Sequence, residues 1–304
     1  MTTYPMMLMD DLQRAFSALA SIDLTVVDQQ RVTGGCISEG CRVVTEDDQG
    51  RQQQWFAKTN RESFLDNFKA EADGLTRLAA VEAIETPQPE VVGVAGDQAW
   101  LIMKWIDQRP PGKSFFRDFG ARLAEMHRCT LGTRIGLDRD NFLGAAKQIN
   151  CSEDRWIDFV AENRLGFQLR WGFDQQRIDD SLRRDCERVI TGLDQWLEGR
   201  LETTSLLHGD LWSGNYLCDV EGRPVVIDPA VYYGCREAEF GMLMLFGACP
   251  TSFYDSYQQV FPMTAGWQRR VNVYVLYHLL NHLNLFGGGY HGQCQQMAEQ
   301  ILRT

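Results

Sequence analysis

Hydrophobic and polar positions change period several times along the first hundred residues. Leu12, Phe16 and Leu19 recur at helical spacing in Asp11–Ile22, which predicts an amphipathic helix. From Thr25 the chain takes on strand composition. Thr25–Arg31 and Cys41–Thr45 flank a glycine-containing turn, Thr33 to Gly40, and Gln54–Thr59 reads as a third strand. In that strand Trp55, Ala57 and Thr59 alternate against Phe56 and Lys58. Phe64–Ala80 returns to helical spacing, with Phe64, Phe68, Leu75 and Leu78 apolar and Glu71 inside the segment. Val91–Val94 and Gln98–Ile106 then predict a hairpin across Ala95-Gly96-Asp97.

Beyond Asp107–Gly112 the pattern is mainly helical, with helices expected over Ser114–Arg128, Glu153–Gly172, Asp179–Glu198, Glu237–Phe246 and Val271–Phe286. One break holds two short apolar runs, Leu206–Leu207 and Val225–Ile227, separated by Asp219–Arg223 and read as strands of a short hairpin. This order predicts a bilobal α+β fold. A small antiparallel-sheet N-lobe over residues 1–106 would join a mainly helical C-lobe over 107–304.

Composition narrows the function. With 304 residues, 44% of them hydrophobic and 23% charged, the chain is an ordinary globular one that can bury a large core. A net charge of −11 argues against nucleic acid or an anionic membrane as partner, so any phosphate site must make its positive field locally. The nine cysteines are scattered without a C-x-x-C pair, and Met1–Asp10 lacks the basic start of a secretory signal. A reduced cytoplasmic protein is expected. Val271–Phe286 is too short, and too polar at Asn272, His278, Asn281, His282 and Asn284, to span a bilayer.

The sharpest chemical signal is His208-Gly209-Asp210-Leu211-Trp212-Ser213-Gly214-Asn215, followed by Ile227-Asp228-Pro229. Phosphoryl transfer needs a carboxylate to orient and deprotonate the attacking hydroxyl, and oxygen ligands for the Mg²⁺ that bridges the phosphates. Asp210 fits the base, and Asn215 with Asp228 fits the metal set. Lys58 on a strand, with Glu71 on the next helix, fits the pair that holds the α- and β-phosphates. The turn at 33–40 fits a phosphate-covering loop, although its Gly34, Gly35 and Gly40 do not spell G-x-G-x-x-G. No Walker A sequence occurs.

On these residues the chain resembles the fructosamine kinase (ketosamine-3-kinase) family, a branch of the protein-kinase-like fold near the aminoglycoside phosphotransferases. The landmarks are Gly34-Gly35-Cys36-Ile37-Ser38, Phe56-Ala57-Lys58, Phe68–Leu75, Asp140–Gly144 with Gln148 and Asn150, His208–Asn215, and Ile227–Glu239. The resemblance implies ATP- and Mg²⁺-dependent phosphorylation of the sugar O3 of ketosamines and a role in protein deglycation. It implies nucleotide contacts from Gly34, Gly35, Cys36, Ser38, Lys58 and Glu71, and adenine contacts from the linker Met103, Lys104, Trp105 and Ile106. The acceptor side is expected at Trp212, Tyr232, Cys235 and Arg236. The family usually has His at the position of Cys235 and an acidic residue at that of Lys104; the first departure bears on amine preference. A monomer is expected, with Cys36 as the thiol that could link two chains on oxidation. Two other readings stay open: a kinase of an aminoglycoside- or choline-like molecule, and a nucleotide-binding module without catalysis.

Overall fold

Alternation along the strands decides how the first part of the chain is layered. The computed structural model describes residues 9–19, 24–32 and 37–303; the glycine-loop positions Gly34, Gly35 and Cys36 lie outside the described residues. Helix α1 (Met9–Leu19) precedes β1 (Thr25–Val32), β2 (Glu39–Glu46) and β3 (Gln52–Arg61); α2 (Leu65–Ala79) then leads to β4 (Pro89–Ala95) and β5 (Gln98–Lys104). The five strands form one antiparallel sheet in the order β1-β2-β3-β5-β4. Because side chains alternate faces, Ala57, Trp100 and Ile102 bury against Leu12, Ala15 and Phe16 of α1. Ala99, Leu101 and Met103 bury against Phe68 and Leu75 of α2 on the other face. Lys58 sits opposite Leu101 in the β3–β5 ladder and so faces α2.

The remainder is mainly helical. It comprises α3 (Phe115–Cys129), a small hairpin of β6 (Asn141–Leu143) and β7 (Ala146–Gln148), and α4 (Trp156–Phe159), which runs through a π-helical stretch Val160–Gly166 into α5 (Phe167–Asp174). Next come α6 (Asp180–Thr191), α7 (Leu193–Trp196), β8 (Ser205–Leu207), β9 (Tyr216–Cys218), β10 (Pro224–Val226) and β11 (Tyr232–Gly234). Four helices close the chain: α8 (Glu239–Leu245), α9 (Thr251–Val260), α10 (Trp267–Phe286) and α11 (His291–Arg303). One core unites these elements around α10, of which Val271, Leu276, Leu280 and Leu283 are fully buried. Helices α3 and α9 touch at Gly120, where an added Cβ would stand 2.1 Å from the Phe253 carbonyl oxygen. No helix among the described residues is long and apolar enough to cross a membrane.

Three features depart from the pattern-based expectation. The runs at 206–207 and 225–227 do not pair with each other. Instead β8 pairs with β11 and β9 with β10, because Tyr216–Cys218 and Tyr232–Gly234 each supply a partner strand too short to register as a run. Helices α9 and α11 went unseen since each buries only a few side chains: Phe253, Ser256 and Tyr257 in one, Cys294, Ala298 and Ile301 in the other. The helix expected over Asp179–Glu198 is broken at Gly192, which stands between α6 and α7.

Candidate active site

Between the sheet and the helical part lies a cavity of about 470 Å³, lined among others by Ser38, Lys58, Glu71, Met103 to Ile106, Asp210, Trp212, Asn215 and Asp228. The position of Lys58 follows from the strand alternation. Its Nζ donates to Glu71 Oε1 at 2.7 Å and reaches across to Asp228 Oδ1 at 2.5 Å. Burial alone would lower the Lys58 pKa, but the two carboxylates outweigh it and hold the ammonium charged. One lysine cannot neutralise two acids. Glu71 is accordingly pushed up to about 7, by burial first and by the charge of Asp228, against the pull of Lys58.

Asp210 stands on a loop that is fixed from beneath. The buried Glu239 carboxylate, on the first turn of α8, accepts from the main-chain N–H of His208 (2.6 Å) and of Gly209 (3.0 Å). His208 Nε2 lies 2.8 Å from the Ile227 carbonyl, so that nitrogen carries the proton and Nδ1 accepts from the Asp210 amide at 3.3 Å. His208 therefore braces the loop, as neutral imidazole kept so by burial. Gly209 has φ +81°, and a Cβ there would meet the Ala230 carbonyl oxygen at 2.2 Å; only glycine lets the two strands of the site approach so closely.

Asn215 donates from Nδ2 to the Asp210 carbonyl (2.8 Å) and to Oδ2 (3.2 Å), which turns its Oδ1 toward other partners. The Ile227 amide donates to the Asn215 carbonyl at 3.0 Å, and Ala230 N to His208 O at 2.8 Å, so the segment carrying Asp228 is tied to the Asp210 loop on both sides. Asp228 itself takes the left-handed conformation, φ +55°, which aspartate tolerates better than most residues. Burial, and next the charge of Asp228, raise the Asp210 pKa well above the usual carboxylate range. Glu71 and Asp228 thus share one lysine, and Asp210 has no cation of its own among the described contacts. An oxygen-rich, over-acidic set of this kind suits a hard divalent cation, and Asn215 Oδ1 with the Asp228 carboxylate are the atoms that could hold it.

At the linker, Lys104 N donates to Gln88 O and Trp105 N to Gln54 O. No bond from the Ile106 amide to protein is present among the described residues. The Lys104 head is exposed and pairs with Glu90. Ser38 is held at the end of the glycine loop by Asn60, whose Nδ2 donates to Ile37 O (2.9 Å) and Ser38 Oγ (3.3 Å). Trp212, half-buried at the cavity wall, lies flat against Gly214.

Three expected acceptor residues lie elsewhere. Tyr232 is buried in β11, its ring parallel to Trp156 and under the Arg164 guanidinium. Cys235 is buried, and burial pushes its thiol up to about 12. Arg236 points away from the cavity, donating to the Phe261 and Pro262 carbonyls while stacking on the Phe261 ring. The segment 229–239 is therefore mostly scaffold. Its sequence adjacency to Asp228 did not mean spatial adjacency, because β11 turns the chain back under β8. Conversely Glu239 stands in the sequence only as the last residue of a family landmark, with no role assigned to it. The same holds for a buried polar layer in which Gln148 Nε2 donates to Asn141 Oδ1 and Ala230 O, while Asn150 donates from Nδ2 to Asn141 Oδ1 and accepts at Oδ1 from Arg164. Asn141, Gln148 and Asn150 belong to the landmarks of the resemblance, which carry no hint of the bonds they make.

A small sheet with helix α2, which together carry the Lys58–Glu71 pair, facing a helical part that carries Asp210, Asn215 and Asp228, defines a kinase-fold phosphotransferase with an alcohol group as acceptor. An aminoglycoside phosphotransferase structure shares this fold over 97% of the chain and 98% of its own, with a TM-score of 0.64 at 16% identity. The fructosamine kinase family model matches residues 8–304, and the chain belongs to that family. It is 39% identical over 279 residues to a Synechocystis sp. protein named "probable ketoamine kinase", covering 91% of each chain. It is 37% identical to the protein-ribulosamine 3-kinase of Arabidopsis thaliana, over 90% of this chain and 82% of that one. A crystal structure of a fructosamine-3-kinase-class protein from Thermobifida fusca superposes with a TM-score of 0.81 at 31% identity, covering 97% of this chain and 99% of that one.

Proposed function

We propose that the protein transfers the γ-phosphoryl group of ATP to the 3-hydroxyl of a ketosamine, a fructosamine or ribulosamine adduct of an amine, and so acts in deglycation. The observation that carries the reading is the meeting of Lys58–Glu71 with Asp210, Asn215 and Asp228 around one cleft in a chain of this family. Adenine would lie against Met103–Ile106, with the unspent Ile106 amide as its donor. Lys58, held by Glu71, binds the α- and β-phosphates and in doing so exchanges its contact with Asp228 for phosphate oxygens. Asp228 and Asn215 Oδ1 would hold magnesium, which when bound neutralises charge on the phosphates.

Asp210 accepts the acceptor's proton. The hydroxyl oxygen forms its bond to the γ-phosphorus, the bond from that phosphorus to the β–γ bridging oxygen breaks, and ADP leaves. A carboxylate held well above its usual range is a better proton acceptor than a free one, and positioned bases of this type supply about 10²–10⁴-fold. We also place the division between lobes at Ile106 and Asp107, where β5 has ended and the adenine linker passes into the helical part.

The test is ADP release with magnesium and ATP against ribulose-lysine, fructose-lysine, an aminoglycoside and choline, with Asp210→Ala as control. Turnover of a ketosamine that disappears in the variant is the expected result. Turnover of the aminoglycoside or choline alone would overturn the substrate assignment.

A further inference from the structure

The chain just after Asp228 is gripped by side chains from far away in sequence. Gln148 Nε2 donates to the Ala230 carbonyl at 3.0 Å, and Asn141 Nδ2 donates to the Val231 carbonyl at 2.8 Å. Both come from the β6–β7 hairpin, and both are buried. A side-chain amide can be turned end for end, so something must decide that these two present N–H rather than oxygen to the carbonyls.

Arg164 decides it. Its guanidinium is buried against the rings of Phe159 (4.3 Å) and Tyr232 (4.2 Å), with no carboxylate partner among the described residues. A buried cation without a counter-charge is costly, but it supplies what no neutral residue does, a group that can only donate. Arg164 donates to Asn150 Oδ1 at 2.8 Å, which turns Asn150 Nδ2 onto Asn141 Oδ1 at 2.7 Å. Gln148 Nε2 donates to that same oxygen at 2.8 Å, and Asn141 Nδ2 is left for Val231. At the far end Tyr277 Oη donates to Gln148 Oε1 at 3.0 Å. Each amide therefore has one orientation, and the free donors of the layer both point at main chain beyond Asp228.

What the layer holds is a strained residue. Asp228 has φ +55°, whereas the Pro229 that follows favours extended backbone in the residue before it. Such a conformation persists only where the surroundings over-determine it. Upstream the tie is the Ile227 amide on the Asn215 carbonyl; downstream it is the Ala230 amide on His208 O together with the two amide side chains. Relaxation of Asp228 toward extended backbone would carry its carboxylate away from Lys58.

We infer that Arg164, Asn150, Asn141 and Gln148 are positioning residues for the Asp228 carboxylate, and through it for the divalent cation. This rests on the metal placement at Asp228 and Asn215 proposed above, not on the identity of the acceptor. A purely structural polar layer would support folding and leave cation affinity alone. Gln168 provides that comparison: it is equally buried, bonded through both ends of its amide to Asn281 and Asn284, and makes no bond to residues 228–231 among the described contacts.

The experiment measures Mn²⁺ binding in the presence of ADP, from the paramagnetic resonance of free Mn²⁺, in the wild type, Gln148→Met, Asn141→Ala and Gln168→Met. Thermal melts and metal-free ADP binding are read on the same samples. All three variants should melt lower. Only Gln148→Met and Asn141→Ala should weaken Mn²⁺, by about 3–10-fold, with metal-free ADP within about 2-fold of wild type. That is less than the loss of a group bonded directly to a metal ligand, because the layer grips the main chain two and three residues further on. Wild-type Mn²⁺ affinity in folded Gln148→Met or Asn141→Ala, or an equal loss in Gln168→Met, would overturn the inference; should one of the first two not fold, the other decides. A wild type that binds no Mn²⁺ with ADP would overturn the metal placement itself, and ketosamine turnover is read independently of either.

Discussion

Glu239 is where the account is most exposed to test, because nothing in its chemistry touches substrate. Both of its oxygens are spent: Oε2 accepts from His208 N at 2.6 Å and lies 3.4 Å from His127 Nε2, and Oε1 accepts from Gly209 N at 3.0 Å. Glu239→Gln keeps the shape and replaces one acceptor by an NH₂ group facing a donor. One charge-assisted bond worth about 1.5–3 kcal/mol is lost, and a buried N–H is left unpaired at about 1–3 kcal/mol. A loss of about 3 kcal/mol in stability, or roughly 5 °C in Tm, is expected from thermal melts.

The catalytic consequence should be larger than stability alone explains, since a displacement of the Asp210 loop by about 1 Å costs about 100-fold in kcat. Glu237→Gln is the control. Glu237 is as deeply buried and pairs with Arg270 at 2.6 Å, but makes no contact with the loop, so it should lower Tm and spare kcat. Burial pushes the Glu239 pKa up, yet His127, His208 and the His208 amide outweigh it and leave the pKa depressed. A carboxylate depressed in the folded state contributes stability above its unfolded pKa and loses it as pH falls through the folded one. The gap between wild type and Glu239→Gln should therefore close below about pH 4. A variant with wild-type Tm and kcat at pH 7 would refute the reasoning.

Other expectations follow from single contacts. Lys58→Met should raise KM for ATP and lower kcat/KM by about 10² or more, since the phosphate contact and the Glu71 pair are both lost; steady-state kinetics with varied ATP reads this. Gly209→Ala must place a Cβ 2.2 Å from the Ala230 oxygen at φ +81°, which should cost more than about 2 kcal/mol and abolish turnover. Gly120→Ala, 2.1 Å from Phe253 O and outside the cleft lining, should cost about 1–3 kcal/mol of stability by overpacking, read as a lower Tm, while leaving KM for both substrates unchanged. Asp210 works only ionised and its pKa is raised, so kcat/KM should climb through an acid limb above the usual carboxylate range. The limb should move down as magnesium is raised, because a cation offsets the charge of Asp228.

How far such a fold can be seen in advance depends on whether its determinants are periodic. Strand alternation put Ala57 and Lys58 on opposite faces before any coordinates, and spacing joined Asp210, Asn215 and Asp228. These are short-range facts written in order along the chain. The substrate side was less legible. Tyr232, Cys235 and Arg236 follow Asp228 closely and carry reactive side chains, but β11 folds them under β8 into the core. The residues that hold the loop, Glu239 and the amides at 141–150, act through bonds to main-chain atoms far away in sequence. No pattern of hydrophobicity records such a bond.

The central claim is that Asp210 takes the proton of a ketosamine 3-hydroxyl as that oxygen receives phosphate. The most direct measurement is phosphorus–carbon correlation NMR on the product of ATP and ¹³C-labelled ribulose-lysine, made with the wild type and with Asp210→Asn in parallel. The account predicts phosphate on C3 in the wild type and a rate lower by at least about 10² in the variant. Phosphate on another carbon, or an unchanged rate with asparagine, would contradict it.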